Sequence, residues 1–444
     1  MKRRILLFAA VLVVAGCSSK TQKKNPTSYT SHKVDPTSTK NATAQPVEKE
    51  IPMAQPEKKE WSGYKFQYGK HTLSVNDEVD KLVSSLGEPK KKTEYETKAF
   101  VGKQYVYEYD GMKIATYPGD TKDYVQSIML TDPTISTEEG IKVGASQGEL
   151  ESAYGDALVE QDNGIWIATL GNTKIRFILL DGKVAAIDYF ADVKNKVLSK
   201  DKEAPDIVNP FEITVYRDQK DSEIDYYRYT TAKDEVDVNA RVIIDTSSVN
   251  KEQLGEYNVK IYAYDRAGNR SFVHTVYTVA DKAAGYTEPE KVDSRADKVL
   301  EKIIHDGMST TDKCTAIYKW IRGNFNFVDT SDKTDWVQAA NTGLKRRSGD
   351  CFVYYAVAQE LLYRSGIQSM RVQKNPGYHS THYWSLVYVP EQGWYHFDTT
   401  PRRTGGEFNL VTDRWLLNYS ARNGNSHDFN TDKYPATPKK DVEK

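Results

Sequence analysis

The sequence predicts a multidomain α+β chain. Three observations point there: a weak internal repeat carrying strand-like runs near the front, a stretch of β-rich runs in the middle, and helical periodicity followed by a hairpin pattern near the end. At roughly one domain per 100–200 residues, the 444 residues allow about two to four domains. Sixty-one Lys and Arg against 62 Asp and Glu leave a formal charge of −1, so no global basic field points to nucleic acid. A mean hydropathy of −0.66 beside 7 Trp, 30 Tyr and 13 Phe describes aromatic-cored domains plus very polar sequence. The same numbers exclude a multi-spanning membrane protein and a collagen-like chain, and three cysteines are too few for a cystine-stapled scaffold.

Lys2, Arg3 and Arg4 precede an apolar run over 5–16, which is 12 residues and short of the ~20 that cross a bilayer as a helix. This reads as an export signal. Val14-Ala15-Gly16-Cys17 resembles the lipobox of bacterial lipoproteins. The resemblance implies that 1–16 is removed and that Cys17 is diacylated, two chains giving stable anchoring where one is marginal. It places the chain on the extracytoplasmic face of the cell membrane. Residues 17–60, rich in Ser, Thr, Pro and Lys, bury too little to offset their ordering entropy and read as a disordered tether.

Residues 61–200 repeat themselves. Leu73, Val75, Leu82, Leu86 and Gly87 match Ile141, Val143, Leu150, Tyr154 and Gly155, every pair 68 apart. A Gly closing each short helix fits a left-handed C-cap. Strand-like runs follow each helix, over 105–109, 112–117 and 125–130, then 165–170, 174–180 and 184–190, with Asp110-Gly111 and Asp181-Gly182 as hairpin turns. The predicted unit is a duplicated helix-plus-antiparallel-sheet domain. It is similar to the tandem repeats of β-lactamase-inhibitor-protein-like and small outer-membrane-lipoprotein domains, which implies a binding or spacer role.

Residues 204–280 change character to β-rich runs over 211–216, 236–244, 257–265 and 271–279. Tyr257, Val259, Ile261 and Ala263 alternate with polar positions, as a half-buried strand requires. Ala204-Pro205-Asp206 and the later Asp265-Arg266-Ala267-Gly268-Asn269 resemble bacterial immunoglobulin-like domains. The resemblance implies a β-sandwich that serves as a spacer or adhesin.

Over 289–444 helical periodicity returns. Cys314, Ile317, Tyr318 and Ile321 form one apolar stripe, with Ser309 to Thr311 as N-caps. Ser348-Gly349-Asp350-Cys351 opens a second helix and puts Cys351 in its first turn, where free N–H groups and the helix dipole favour a thiolate. One of those N–H groups can also stabilise a developing oxyanion. Two strands follow, around 382–389 and 394–398. His382 and Asp398 are 16 apart with Pro390 midway, so an even spacing puts both on one face of a hairpin. A register centred on Pro390 makes them direct cross-strand neighbours, and a shift by two separates them.

These segments resemble the three motifs of the transglutaminase-like superfamily, related in fold to papain-type cysteine proteases. They are Ser348-Gly349-Asp350-Cys351-Phe352, His382-Tyr383-Trp384-Ser385-Leu386-Val387-Tyr388-Val389 and Gly393-Trp394-Tyr395-His396-Phe397-Asp398. The resemblance implies Cys351 as nucleophile, His382 as base and Asp398 as the acid that orients it. Trp336 is the candidate second oxyanion donor. Asp350 and His396 are expected to cap a helix and pack on a strand. The expected function is an exported, lipid-anchored cysteine acyl-transfer enzyme acting on a peptide or protein substrate of the cell envelope, with no cofactor, metal or nucleic acid. Competing readings are a zinc site from Cys351, His379, His382 and His396, a Cys314–Cys351 disulfide, and a non-catalytic surface scaffold or adhesion protein.

Overall fold

A computed structural model describes residues 63–75, 77–329, 332–377, 381–440 and 442. The export signal, Cys17, the tether, Trp61 and His379 lie outside the described residues. No helix among the described residues is long and apolar enough to cross a membrane.

The front of the chain forms β1 (Lys65–Tyr68), β2 (His71–Ser74), α1 (Val79–Leu86), β3 (Lys91–Tyr95), β4 (Gln104–Tyr109), β5 (Met112–Pro118) and β6 (Asp123–Leu130). Then come α2 (Gln147–Tyr154), β7 (Leu158–Glu160), β8 (Ile165–Leu170), β9 (Thr173–Leu180), β10 (Lys183–Ala191) and α3 (Lys196–Lys200). One eight-stranded antiparallel sheet results, in the order β3-β4-β5-β6-β10-β9-β8-β7, with Tyr189 opposite Ile128 where its halves meet. Leu82 of α1 and Leu150 and Tyr154 of α2 share one core with Phe177 and Tyr189 of the sheet. Gly87 and Gly155 close the two helices at φ 83° and 50°. Their ψ values of −169° and −131° lie outside the left-handed helical region expected from the sequence, in backbone space that is essentially glycine's own.

The middle segment holds β11 (Asp206–Val208), β12 (Ile213–Tyr216), β13 (Thr231–Lys233), β14 (Arg241–Asp245), β15 (Gly255–Tyr264) and β16 (Arg270–Ala280). β12-β16-β15-β14 form one sheet, in which β12 runs parallel to β16, and β11-β13 form another. Buried charge ties this segment to the front. Arg176 and Asp188 pair at 2.8 Å, and Arg241 Nη2 lies 3.3 Å from the other oxygen of Asp188. Aromatic packing ties it to the rear, since Phe211 and Tyr229 belong to the same apolar core as the C-terminal helices.

That C-terminal segment runs α4 (Pro289–Ile303), α5 (Thr310–Asn324), β17 (Asn326–Phe327), α6 (Trp336–Arg346), β18 (Ser348–Gly349) and α7 (Cys351–Arg364). The sheet strands β19 (Ser369–Gln373), β20 (Tyr383–Val389), β21 (Gly393–Phe397) and β22 (Asn409–Val411) follow, then α8 (Asp413–Arg422). Helix α5 begins at the Ser309/Asp312 capping box and buries Cys314, Ile317, Tyr318 and Ile321, the stripe expected from the sequence. Helix α7 is buried from Phe352 to Leu362 and packs against α4, α5, α6 and β20. A helix enclosed on all sides holds its first residue rigidly.

One buried carboxyl in α7 has a measurable consequence. Burial first, and then Asp293 of α4, push Glu360 up to about 8, while Arg364 and Arg228 oppose the shift. An acid raised above its unfolded value of 4.5 removes stability as pH climbs from 4.5 towards 8. Glu360→Gln is therefore expected to raise the melting temperature at about pH 8, by about 2–4 °C for each kcal/mol relieved, and to change it little near pH 5. Melting curves at the two pH values check this.

Candidate active site

Cys351 is the first residue of α7, and Asp350 is its N-cap. The Asp350 carboxylate accepts the Phe352 and Val353 N–H groups at 3.0 and 3.3 Å, and Lys333 Nζ sits 3.0 Å from its other oxygen. Among the described residues the Cys351 N–H donates to no acceptor, which leaves it as the N–H available to an oxyanion. Gly349, two residues earlier, is required by space, because an added Cβ would run into the Val353 side chain.

The Cys351 Sγ lies 3.8 Å from the Thr381 carbonyl oxygen and takes the Tyr383 N–H. Burial, followed by the charges of Asp350 and Asp398, pushes its thiol up to about 11 against the opposing pull of Lys333 and that N–H. The sequence expectation of a thiolate is thus corrected for the resting state. The positive helix end is already engaged by the Asp350 carboxylate, and the half-buried side chain is partly desolvated. Cys314, fully buried on α5, is pushed up to about 12. Both are free thiols, so the disulfide reading does not describe this structure.

His382 immediately precedes β20, and Asp398 immediately follows β21. The strands pair Ser385 with Phe397 and Val389 with Gly393, so the hairpin centres on Glu391 rather than Pro390. Glu391 (φ 63°) and Gly393 (φ 105°) supply the positive φ values of that turn. The register is the one shifted by two, which the sequence reading expected to separate the pair. They meet nonetheless, as diagonal neighbours, with His382 Nε2 2.8 Å from Asp398 Oδ2. The His382 ring stacks on Trp384 at 5.5 Å. Trp384 in turn donates to His396 Nδ1 at 2.9 Å, and His396 Nε2 meets Asp413 Oδ1 at 2.7 Å. His396 therefore holds the platform under His382.

Sequence reasoning missed His427. It lies past α8, fully buried, with Nε2 2.9 Å from the same Asp398 Oδ2 and Nδ1 3.0 Å from Ser426 Oγ. The segment after Tyr419 thus delivers a buried side chain to the site. A single His in a polar, turn-rich tail carries no periodicity that could have flagged it. Trp336, by contrast, is not the second oxyanion donor. Its Nε1–H goes to the Glu212 carbonyl at 3.0 Å, and its ring packs on Phe211 and Tyr229. It fastens the middle segment to α6.

Burial, reinforced by Arg402 and Lys374, outweighs Asp398 and lowers the His382 pKa below its usual 6.5. Burial alone would raise Asp398, but the two imidazoles hold it well below the ordinary carboxylate range. The resting site is a neutral thiol, a neutral imidazole and an ionised carboxylate. With Nε2–H committed to Asp398, the lone pair of His382 is on Nδ1, the tautomer a general base needs.

The atoms of His382, Asp398 and His427 lie within 4.8 Å of one another, close enough to ligate a metal. Arg402 Nη2 is 3.7 Å from Asp398 Oδ2 and 3.5 Å from His427 Nε2, and this positive charge opposes a second cation at that corner. Of the zinc set read from the sequence, His396 is engaged by Trp384 and Asp413, and His379 lies outside the described residues.

Residues 297–399 match the family model described as the Transglutaminase-like superfamily. No curated protein matches the chain. Among solved structures, one from Cytophaga hutchinsonii described as a candidate cysteine protease is 16% identical, with a TM-score of 0.20, covering 39% of this chain and 66% of its own. This chain thus spans just under two thirds of that protein. The periplasmic domain of TgpA from Pseudomonas aeruginosa is 15% identical, with a TM-score of 0.19, over 33% of this chain and 70% of its own. A structure described as a TGase is 16% identical, with a TM-score of 0.23, over 44% and 56%. At these values neither activity nor substrate passes from those proteins to this chain.

Proposed function

We propose, from the transglutaminase-like domain at residues 297–399, that the chain is a cysteine-dependent acyl-transfer enzyme acting on peptide or amide carbonyls. The observation that carries the reading is the His382–Asp398 pair at 2.8 Å, which leaves His382 Nδ1 unprotonated, while the Cys351 thiol at the start of α7 lies 3.8 Å from the carbonyl of Thr381, the residue before His382. Cys351 Sγ attacks the carbonyl carbon and its proton passes to His382 Nδ1, while the Cys351 N–H faces the oxyanion. The carbon–nitrogen bond then breaks, and the proton leaves with the amine. Water resolves the thioester to an acid, whereas a primary amine resolves it to a new amide. In the resting structure Sγ is directed at Thr381 O, so the attack begins with a rotation about the Cys351 side chain.

The lipobox-like Cys17 supports anchoring at the extracytoplasmic face of the cell membrane, and an envelope peptide or protein as substrate. We read the front sheet as a duplicated binding or spacer domain and the middle sheets as an immunoglobulin-like spacer. The raised thiol pKa favours the rival reading, a non-catalytic surface scaffold. A screen of peptide amides with and without added primary amine separates them. Amine-independent release of acid supports hydrolysis, and amine incorporation supports transamidation. No turnover with any amide, together with an unreactive Cys351, supports the scaffold.

A further inference from the structure

We infer that His427 is a positioning residue for this site, whose Nε2–H occupies Asp398 Oδ2 and holds the Arg402 guanidinium at ion-pair distance rather than in hydrogen-bond contact with the carboxylate that serves His382. The inference rests on the roles proposed above for Cys351, His382 and Asp398. It concerns a residue beyond position 399, where the family match ends.

Asp398 is buried to 2% exposure, and both lone-pair sites of Oδ2 are filled. Oδ1 takes the Thr400 N–H at 2.8 Å, and Oδ2 takes both imidazoles, at 2.8 and 2.9 Å. Arg402 Nη2 waits just outside hydrogen-bond range of Oδ2, at 3.7 Å. Its Nε is buried without an acceptor among the described residues, so this guanidinium has a donor still to place. His427 stands between them, 3.5 Å from Arg402 Nη2.

His427 is itself fixed. Its backbone N–H donates to Ser420 Oγ at 2.9 Å, and its ring lies against Phe408 at 4.8 Å. With the Nε2 proton directed at Asp398, Nδ1 is the acceptor for the Ser426 hydroxyl. Among the described residues, the titratable and charged groups facing His427 are Asp398, His382 and Arg402, with the Tyr419 ring of α8 edge-on at 6.2 Å. Burial pushes its pKa down to about 3, so it remains neutral under working conditions.

The choice of donor decides how much charge reaches His382. A neutral imidazole satisfies Oδ2 and leaves the carboxylate's negative charge intact. A guanidinium moved from 3.7 Å into contact in its place would offset more of that charge and repel more strongly the imidazolium that forms when His382 takes the thiol proton. The thiolate–imidazolium state would then lie higher, and more alkaline solution would be needed to ionise Cys351.

The test is iodoacetamide alkylation of the full chain near pH 7, where the rate follows the small ionised fraction of the thiol, read at Cys351 by mass spectrometry, with melting curves to confirm folding. In His427→Phe, which fills the space but lacks the donor, the Cys351 rate near pH 7 is expected to fall about tenfold, the change that a rise of about one unit in its ionisation midpoint gives. His427→Gln keeps an N–H donor and is expected to stay within about threefold of wild type. Adding Arg402→Met to His427→Phe is expected to recover most of the loss. A wild-type rate in His427→Phe, or a loss that Arg402→Met leaves untouched, overturns the inference. Labelling that is insensitive to His382→Ala overturns the reading of the site and this inference together. Sensitivity to His382→Ala with no effect of His427→Phe overturns this inference alone.

Discussion

Turnover at Cys351 is expected to fall by about 10²–10⁴-fold in His382→Ala, the range that a positioned general base contributes. Two features put the loss at this residue. The thiol is pushed up to about 11, so almost none of it is ionised near neutrality, and attack requires that its proton be taken during the step. Nε2–H is tied to Asp398, which leaves Nδ1 as the accepting atom. The ring is stacked on Trp384, so the base is pre-oriented and Ala removes the acceptor without touching the helix that carries the sulfur. The pH profile carries the same information. Burial, with Arg402 and Lys374, lowers the His382 pKa, so protonation disables the base only below the ordinary 6.5. The acid limb of kcat/KM is therefore expected below pH 6.5 and is expected to vanish in His382→Ala. Kinetics on an amide identified by the screen measure both.

The second large effect is expected in Asp398→Asn, where turnover should drop by about 10³–10⁴-fold, as when the acid of a Ser-His-Asp triad is amidated. Two imidazole N–H groups converge on Oδ2. An amide oxygen placed there keeps the hydrogen bonds but loses the charge that accompanies the imidazolium. An amide nitrogen placed there faces two donors and turns His382 to the wrong tautomer. Stability shows the complementary sign. Asp398 is held well below its unfolded value of 3.8, so its contribution is present above that value and is lost as pH falls through the lower folded value. Acid unfolding of the wild type below about pH 4 should therefore be steeper than that of Asp398→Asn. Acid titrations followed by circular dichroism compare the two.

What was legible in the sequence was local. The stripe on α5 and the capped start of α7 follow from spacing within a few residues, and each was found in place. β20 is a strand where one was expected, but it is buried on both faces rather than alternating, with Val387 in the core of the helices and Trp384 and Leu386 in a second core with Leu416 of α8. The pairing of His382 with Asp398 followed from even spacing, although the register did not. The turn is centred on Glu391 rather than Pro390, and only the reach of the two side chains across the diagonal restores the contact. Features set by distant partners were not legible. The Trp336 indole is claimed by a carbonyl 124 positions away, and His427 reaches Asp398 only because the chain after α8 folds back. The thiol pKa was misread for a related reason. A helix N-terminus is visible in sequence, whereas the burial and the second carboxylate that offset it are tertiary.

The most direct measurement is the relative rate at which iodoacetamide labels the two free thiols of the folded chain near neutral pH, in wild type and in His382→Ala. The account predicts that Cys351 reacts well ahead of the buried Cys314, and that this lead collapses when the imidazole is removed. Equal and slow labelling of both thiols, unchanged by His382→Ala, would contradict it.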